Sequence, residues 1–342
     1  FKAKSTAGRS AQDAENVTVA RKVPDMDFLW ECENRLWGCK GKDLFASKRG
    51  DPFDFYADDD GISTGSYWVQ TGSAGDFTGC CSFLGYPVFF KEDQLYKVHG
   101  SRPSNFQVMG SASLGIAKGS HQSPAIAGEK LFYRSRAGIV SYSGGVPSII
   151  SQPFGNEKYY DAVGGSDGVK YYVSMKNSAG EYSLFVYDTL RSVWHKENCG
   201  EVFGFGFDDG LYMLENGPSR GSIWYIGGGK HDKYLSAQAE SPVSSMARFG
   251  RCYGPASGRN GVTRFHIKTE LEQDAQLSVK ISYDGAPFEE ILNIQAQKRR
   301  GYHIPIIPKR CEYFDLSLEG KGEWKLINIT REIYGASSLP DF

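Results

Sequence analysis

The sequence predicts an all-β protein: a β-propeller with five visible four-stranded blades, followed by an antiparallel β-sandwich. Three observations predict it. Short aromatic strands recur in units that start at Asn34, Gly85, Gly128, Gly168 and Gly210, steps of 51, 43, 40 and 42 residues. The 342-residue chain is rich in glycine (41) and aromatics (14%), which favours short strands and tight turns over helices. After Gly229 the pattern changes to longer strands with strict alternation. A period of about 40–50 residues with four strands per unit is that of propeller blades.

Each element can be justified in chain order. Residues 1–25 form a leading segment, in which "ENVTVARKV" (15–23) reads as a β-branched strand. It would complete the last blade or belong to a preceding module. The propeller is expected over 26–235. Its innermost strands are "DMDFLWECE", "FTGCCSFLG", "SPAIAGE", "YDAVGGSDG" and "VFGFGFDDG", where small residues suit the crowding near the axis. The outer strands carry bulk, such as Phe89, Phe90, Phe132, Tyr133, Tyr171 and Trp224, to fill the wider gaps between blades. In the first unit "NRLWGCKGKDLFASKRGDPFDF" (34–55) reads as the second, third and fourth strands of one blade. "NIQAQKRR" (293–300) reads as a loop.

The sandwich is expected over 236–342. Strands are placed at Ser244–Phe249, 262–273, 275–285, 288–294, 301–308, 311–320 and 322–335. Phe265, Ile267 and Thr269 alternate with polar neighbours, as do Leu277, Val279 and Ile281, and Phe314, Leu316 and Leu318. The tail "SSLPDF" is expected to be loose or docked on a neighbour.

Charge is balanced, with 39 basic and 40 acidic residues, so nothing demands nucleic acid or a membrane as partner. No apolar run approaches a membrane span. Seven cysteines (Cys32, Cys39, Cys80, Cys81, Cys199, Cys252 and Cys311) fit no disulfide framework and no zinc spacing. They are expected to be reduced and mostly buried, which points to folding in a reducing cytoplasm. The first residue is Phe1, so the gene start is expected upstream.

The search for reactive groups assigns no catalytic, cofactor-binding or metal-ligating residue. His99, His121, His195, His231, His266 and His303 fit no metal motif. "GGGK" (227–230) lacks the phosphate-loop pattern. Asp58, Asp59 and Asp60 read as a solvated turn rather than a cation loop, and "KRR" (298–300) as a solvated loop. A propeller could bring Asp25, Asp27, Asp161 or Asp208 toward its axis. Trp68 and Trp324 are candidate stacking platforms, with burial in a core as the competing reading. The chain is therefore expected not to be an enzyme.

Six phrases carry a family resemblance: "VPDMDFLWECENRLWGC", "ASKRGDPFDF", "GYPVFFKEDQLYKVHG", "PSNFQV", "LFVYDTLRSVWHKE" and "RCEYFDLSLEGKGEWKL". Together they resemble virion structural proteins of tailed bacteriophages, common in prophages of gut Firmicutes. The resemblance implies a tail or neck protein without catalysis. It implies a ring-like homo-oligomer in contact with other virion proteins, folded in the host cytoplasm and located in the virion. It also implies a region upstream of Phe1, where further blades would lie. Two alternatives stand beside it. One is a module that binds a host-surface glycan or receptor. The other is a five-bladed glycoside hydrolase, which needs two or three carboxylates at the axial pocket about 5–10 Å apart.

Overall fold

The structure, a computed structural model, describes residues 23–55, 65–216, 221–226, 244–253, 261–295, 301–307 and 309–334. The chain divides into two compact units, 1–231 and 232–342.

The first unit is a β-propeller. Blade 1 holds β1 (Phe28–Cys32), β2 (Arg35–Lys40), β3 (Asp43–Ala46) and β4 (Tyr67–Gln70). Blade 2 holds β5 (Gly79–Phe83), β6 (Tyr86–Lys91), β7 (Gln94–His99) and β8 (Gln107–Ala112). Blade 3 holds β9 (Ala125–Ala127), β10 (Lys130–Ser135), β11 (Gly138–Tyr142) and β12 (Ser148–Ile149). Blade 4 holds β13 (Tyr159–Ser166), β14 (Lys170–Asn177), β15 (Tyr182–Asp188) and β16 (Val193–Asn198). Blade 5 holds β17 (Val202–Phe207), β18 (Leu211–Glu215) and β19 (Ser222–Ile226) among the described residues. Every neighbouring pair is antiparallel, in chain order.

Two features of the sequence build this array. The turns that follow β1, β5 and β9 contain two residues each, with positive φ at both: Glu33–Asn34, Leu84–Gly85 and Gly128–Glu129. That backbone suits the twist of a two-residue hairpin, and glycine adopts it without strain. The innermost strands also need small residues where blades converge. A methyl group at Gly164 of β13 would lie 2.3 Å from the Ser123 carbonyl oxygen, and one at Gly165 would lie 2.5 Å from the Phe205 ring.

The outer strands fill the widening gaps. Trp37, Cys39, Leu44, Phe77, Phe89 and Tyr96 form the core between blades 1 and 2. Phe90, Leu95, Leu131, Tyr133 and Tyr142 form the next. Phe132, Tyr171, Val173 and Phe185 join blades 3 and 4, and Tyr172, Leu184, Leu211 and Met213 join blades 4 and 5. Each large buried side chain contributes roughly 1.5–3 kcal/mol. Cys32, Cys39, Cys80, Cys81 and Cys311 are buried, whereas Cys199 and Cys252 are half-buried.

Three expectations need correction. The fourth strand of blade 1 is β4, not "FDF" at 53–55; the aromatic spacing there mimics a strand, but the ladder resumes at Tyr67. The strand β24 (Glu289–Gln295) takes up the start of the stretch 293–300, because its residues continue a ladder with β23 (Gln276–Tyr283). Inner strands are not uniformly small: Trp30, Phe203, Phe205 and Phe207 sit on β1 and β17. The strand expected at 15–23 lies outside the described residues up to residue 22, as do Asp58–Asp60, 227–230, His231, 298–300 and the tail.

The second unit is an antiparallel sandwich. One sheet has the order β20 (Ser244–Arg248), β26 (Tyr313–Lys321), β23, β24, with β21 (Cys252–Tyr253) also on β26. The other has the order β25 (Gly301–Pro305), β22 (Gly261–Leu271), β27 (Trp324–Tyr334). The alternating Phe265, Ile267, Leu277, Val279, Ile281, Phe314, Leu316 and Leu318 all enter one core. The described residues contain no helix long and apolar enough to cross a membrane.

Candidate functional site

Strand direction sorts the loops of the propeller into two ends. The innermost strands all start at one end, where the blade-to-blade connections and the β2–β3, β6–β7 and β10–β11 turns also lie. This end, the mouth, holds a recess of about 460 Å³. Its acidic lining is Asp27, Asp76, Glu92 and Asp93, and its basic lining is Lys91, Lys118 and Arg136.

Each group is placed by local structure. Asp27 immediately precedes β1, and its N–H donates to the Cys39 carbonyl at 2.9 Å. Asp76 sits on the 71–78 connection, which is tied to the β2–β3 turn by Thr71 N–H to Lys42 carbonyl (2.9 Å) and Phe77 N–H to Gly41 carbonyl (2.8 Å). Glu92 and Asp93 are the two residues of the β6–β7 turn, since Lys91 pairs with Gln94. The Glu92 carboxylate accepts the Lys118 N–H at 3.3 Å.

Lys91 braces this wall. It is 1% exposed, and its ammonium donates to the Ser73 hydroxyl at 2.7 Å and the Ser73 carbonyl at 3.1 Å. It also lies 5.1 Å from the Phe77 ring centre, a cation–π distance. Burial pushes its pKa below the ordinary lysine value.

A second recess of about 390 Å³ runs along the inner strands. Trp30, Phe203, Phe205 and Phe207 give it aromatic walls, and His121 and Gln122 add polar edges. Trp30 is 43% exposed and Phe207 64%. The ring of Phe28, which lines the mouth, lies 5.1 Å from that of His121, which lines the axial recess, so the two recesses adjoin there. Burial lowers the His121 pKa, which favours a neutral imidazole.

The four carboxylates expected near the axis part company. Asp27 lines the mouth recess. Asp161 stands beside it: a methyl group on Gly119, a lining residue, would lie 2.8 Å from the Asp161 carboxylate, which is ion-paired with Lys176. Asp25 is taken up by Lys40 outside the recess lining. Asp208 follows β17 and lies at the opposite end, in the β17–β18 turn. Asp76, Glu92 and Asp93 were not singled out by the sequence. Only the strand polarity, with a connection and a turn both returning to the mouth, could have found them.

The remaining candidates lie elsewhere. Trp68 on β4 is 57% exposed, and so is no core residue. Trp324 packs against the sandwich core and donates its indole N–H to the Ser245 hydroxyl at 2.8 Å. His195 contacts Glu197 at 2.9 Å, and His266 on β22 contacts His303 on β25 and, at 2.7 Å, Glu332 on β27. Among the described residues no group of three such side chains is arranged to hold a metal ion.

The arrangement can do two things. Aromatic faces stack on the apolar faces of sugar rings, and carboxylates with nearby cations hydrogen-bond their hydroxyls. Paired carboxylates can also supply the acid and base, or the nucleophile, of glycoside cleavage.

No family model matches the chain, and no curated protein matches it. Solved structures do. One is an exo-β-1,3-galactanase from Phanerochaete chrysosporium with galactose, at 8% identity over 90% of this chain and 95% of that one, TM-score 0.33. Another is a glycoside hydrolase family 43 arabinoxylan arabinofuranohydrolase from Bacillus subtilis in complex with cellotetraose, at 12% identity over 85% and 76%, TM-score 0.21. The expected phage tail or neck role and the expectation of a chain that is not an enzyme are withdrawn: the solved structures named above are glycoside hydrolases, not virion proteins. A likeness this weak transfers no activity, so the chemistry has to come from the mouth's own residues.

Proposed function

We propose that the propeller binds a glycan at its mouth and cleaves it with paired carboxylates, Asp27 and Asp76 foremost. One observation carries this reading: four carboxylates and three cations line a single recess that adjoins an aromatic axial wall. The aromatic wall holds sugar rings by their apolar faces, while Lys118 and Arg136 hydrogen-bond hydroxyls. Asp27 and Asp76 come from different segments, a strand start and a blade connection, and both line the recess. Lys91 positions the Asp76 connection without touching the ligand's reacting bond.

The test is sugar release by the full chain from a panel of galactans, arabinoxylans and aryl glycosides. Turnover is expected on at least one, falling by about 10²–10⁴-fold in Asp27→Asn, the usual loss when an acid–base group is removed. Folding of the variant is checked by circular dichroism. Absence of both turnover and glycan binding across the panel overturns the proposal, as does an unchanged rate in Asp27→Asn.

A further inference from the structure

A recess of about 220 Å³ lies next to the mouth recess, and Arg136 lines both. Arg136 and Ala137 form the β10–β11 turn, since Ser135 pairs with Gly138. The β12–β13 connection, which also returns to the mouth, supplies Phe154, Glu157 and Lys158. Pockets that enclose a drug-sized ligand hold roughly 300–1,000 Å³, so this smaller space suits one sugar unit rather than a chain of them.

Its charge balance is opposite to that of the mouth. Arg134, Arg136 and Lys158 set three cations against one carboxylate, Glu157. Glu157 already accepts the Tyr159 hydroxyl at 2.6 Å. None of the three cations forms an ion pair among the described residues. Arg134 is half-buried and held in place, because its guanidinium donates to the Ser135 and Tyr159 carbonyls. That uses two of its five N–H donors, on neutral acceptors. Tyr159 follows Lys158 in the chain, so the fixed guanidinium lies beside the Lys158 backbone. Burial pushes the Arg134 pKa below the ordinary arginine value, a cost that a bound anion offsets.

We propose that this recess is a subsite for the carboxylate of an acidic sugar, a uronic acid unit of the glycan bound at the mouth, held by Arg134 and Lys158. The inference rests on the reading of the mouth as a glycan site. A planar guanidinium meets a carboxylate with two parallel hydrogen bonds, and the Lys158 ammonium adds a second charge. Arg136 stands between the two recesses, where a unit in the subsite joins the rest of the glycan.

Binding of single sugars to the full chain, followed by ligand-observed NMR, tests this without need of cleavage. Methyl glucuronide and methyl galacturonide are expected to bind about 10-fold tighter, or more, than methyl glucoside and methyl galactoside. Lys158→Gln is expected to weaken the acidic sugars about 2–5-fold. Arg134→Gln is expected to weaken them about 10-fold or more, with the neutral sugars unchanged in both variants. Should Arg134→Gln fail to fold by circular dichroism, Lys158→Gln, at an exposed position, gives the same readout. Equal affinity for acidic and neutral sugars, or none for either, overturns the subsite and leaves cleavage at the mouth to its own test. Acidic sugars bound with no turnover on the glycan panel does the reverse. Tighter binding of glucose 6-sulfate than of the glucuronide overturns the assignment to a sugar carboxylate. So does inorganic sulfate bound as tightly as the uronides, or an unchanged affinity in the variants.

Discussion

The two ends of the propeller axis are built from the same strands and differ in how the chain leaves them. At the end opposite the mouth, called here the closed end, three inner hairpins turn in two residues with positive φ, so the inner strands leave little chain beside the axis there, and the longer connections, such as that from Ala46 to Tyr67, join the outer strands. At the mouth the connections 71–78 and 113–124 rise between strands and bring Asp76 and Lys118 beside Asp27. Tight turns serve strand pairing, and longer connections are free to carry chemistry. The closed end therefore reads as scaffold and the mouth as site, on one rigid set of sheets.

The inner strands that join both ends are the part most sensitive to change. Gly164→Ala places a methyl group against the Ser123 carbonyl, and backbone cannot swing aside as a side chain can. A loss of about 1–3 kcal/mol or more is expected by thermal or urea unfolding. Gly206→Ala on β17, where nothing lies within 4 Å of the added carbon, is expected to be far milder. Equal effects at the two positions would break the picture of convergence at the axis.

At the mouth, Lys91→Met removes a buried cation and leaves the Ser73 carbonyl without that donor. A loss of about 1–3 kcal/mol is expected, with a rise in KM for any glycan turned over, because the Asp76 connection loosens. At the closed end, Gly85→Ala forces a side chain onto a residue at φ +75° and is expected to cost about 1–2 kcal/mol with no effect on KM. A KM effect from the closed-end variant, or none from Lys91→Met, blurs the division between scaffold and site.

The smallest effect concerns pH. Burial, and then the hydrogen bond its hydroxyl donates to Asp167 at 3.0 Å, raises the Tyr172 pKa above the ordinary tyrosine value. A raised pKa means that the native state holds this proton more tightly. Its contribution is complete below about pH 10 and is lost as pH rises through the native value. Melting temperature followed from pH 9 upward is expected to fall less steeply in Tyr172→Phe than in the parent chain.

Much of the scaffold was legible in the sequence. Glycine, serine and alanine just ahead of an aromatic run mark β5, β9 and β13, because crowding at the axis and width at the rim leave that trace. Alternation marks the sandwich strands equally well. Blade 1 misled, since Phe53 and Phe55 keep strand spacing in a segment that forms no ladder. The site was half legible. Asp27 and Asp161 could be named from their place beside inner strands, but Asp208 was grouped with them although it follows its strand and so faces the other way. Asp76, Glu92 and Asp93 carry no motif in the sequence, and only the meeting of two loops at one mouth gives them company. The phrase-level likeness to phage virion proteins carried no site residue, so it offered no chemistry to place on the fold.

The central claim is that chemistry belongs to the mouth and not to the closed end. Its most direct test compares kcat/KM for glycan cleavage in Asp76→Asn with that in Asp208→Asn. The account predicts a loss of about 10²–10⁴-fold in the first and a value within about twofold of the parent in the second, a change of less than 0.5 kcal/mol. A comparable loss in both variants, or a loss confined to Asp208→Asn, would contradict it.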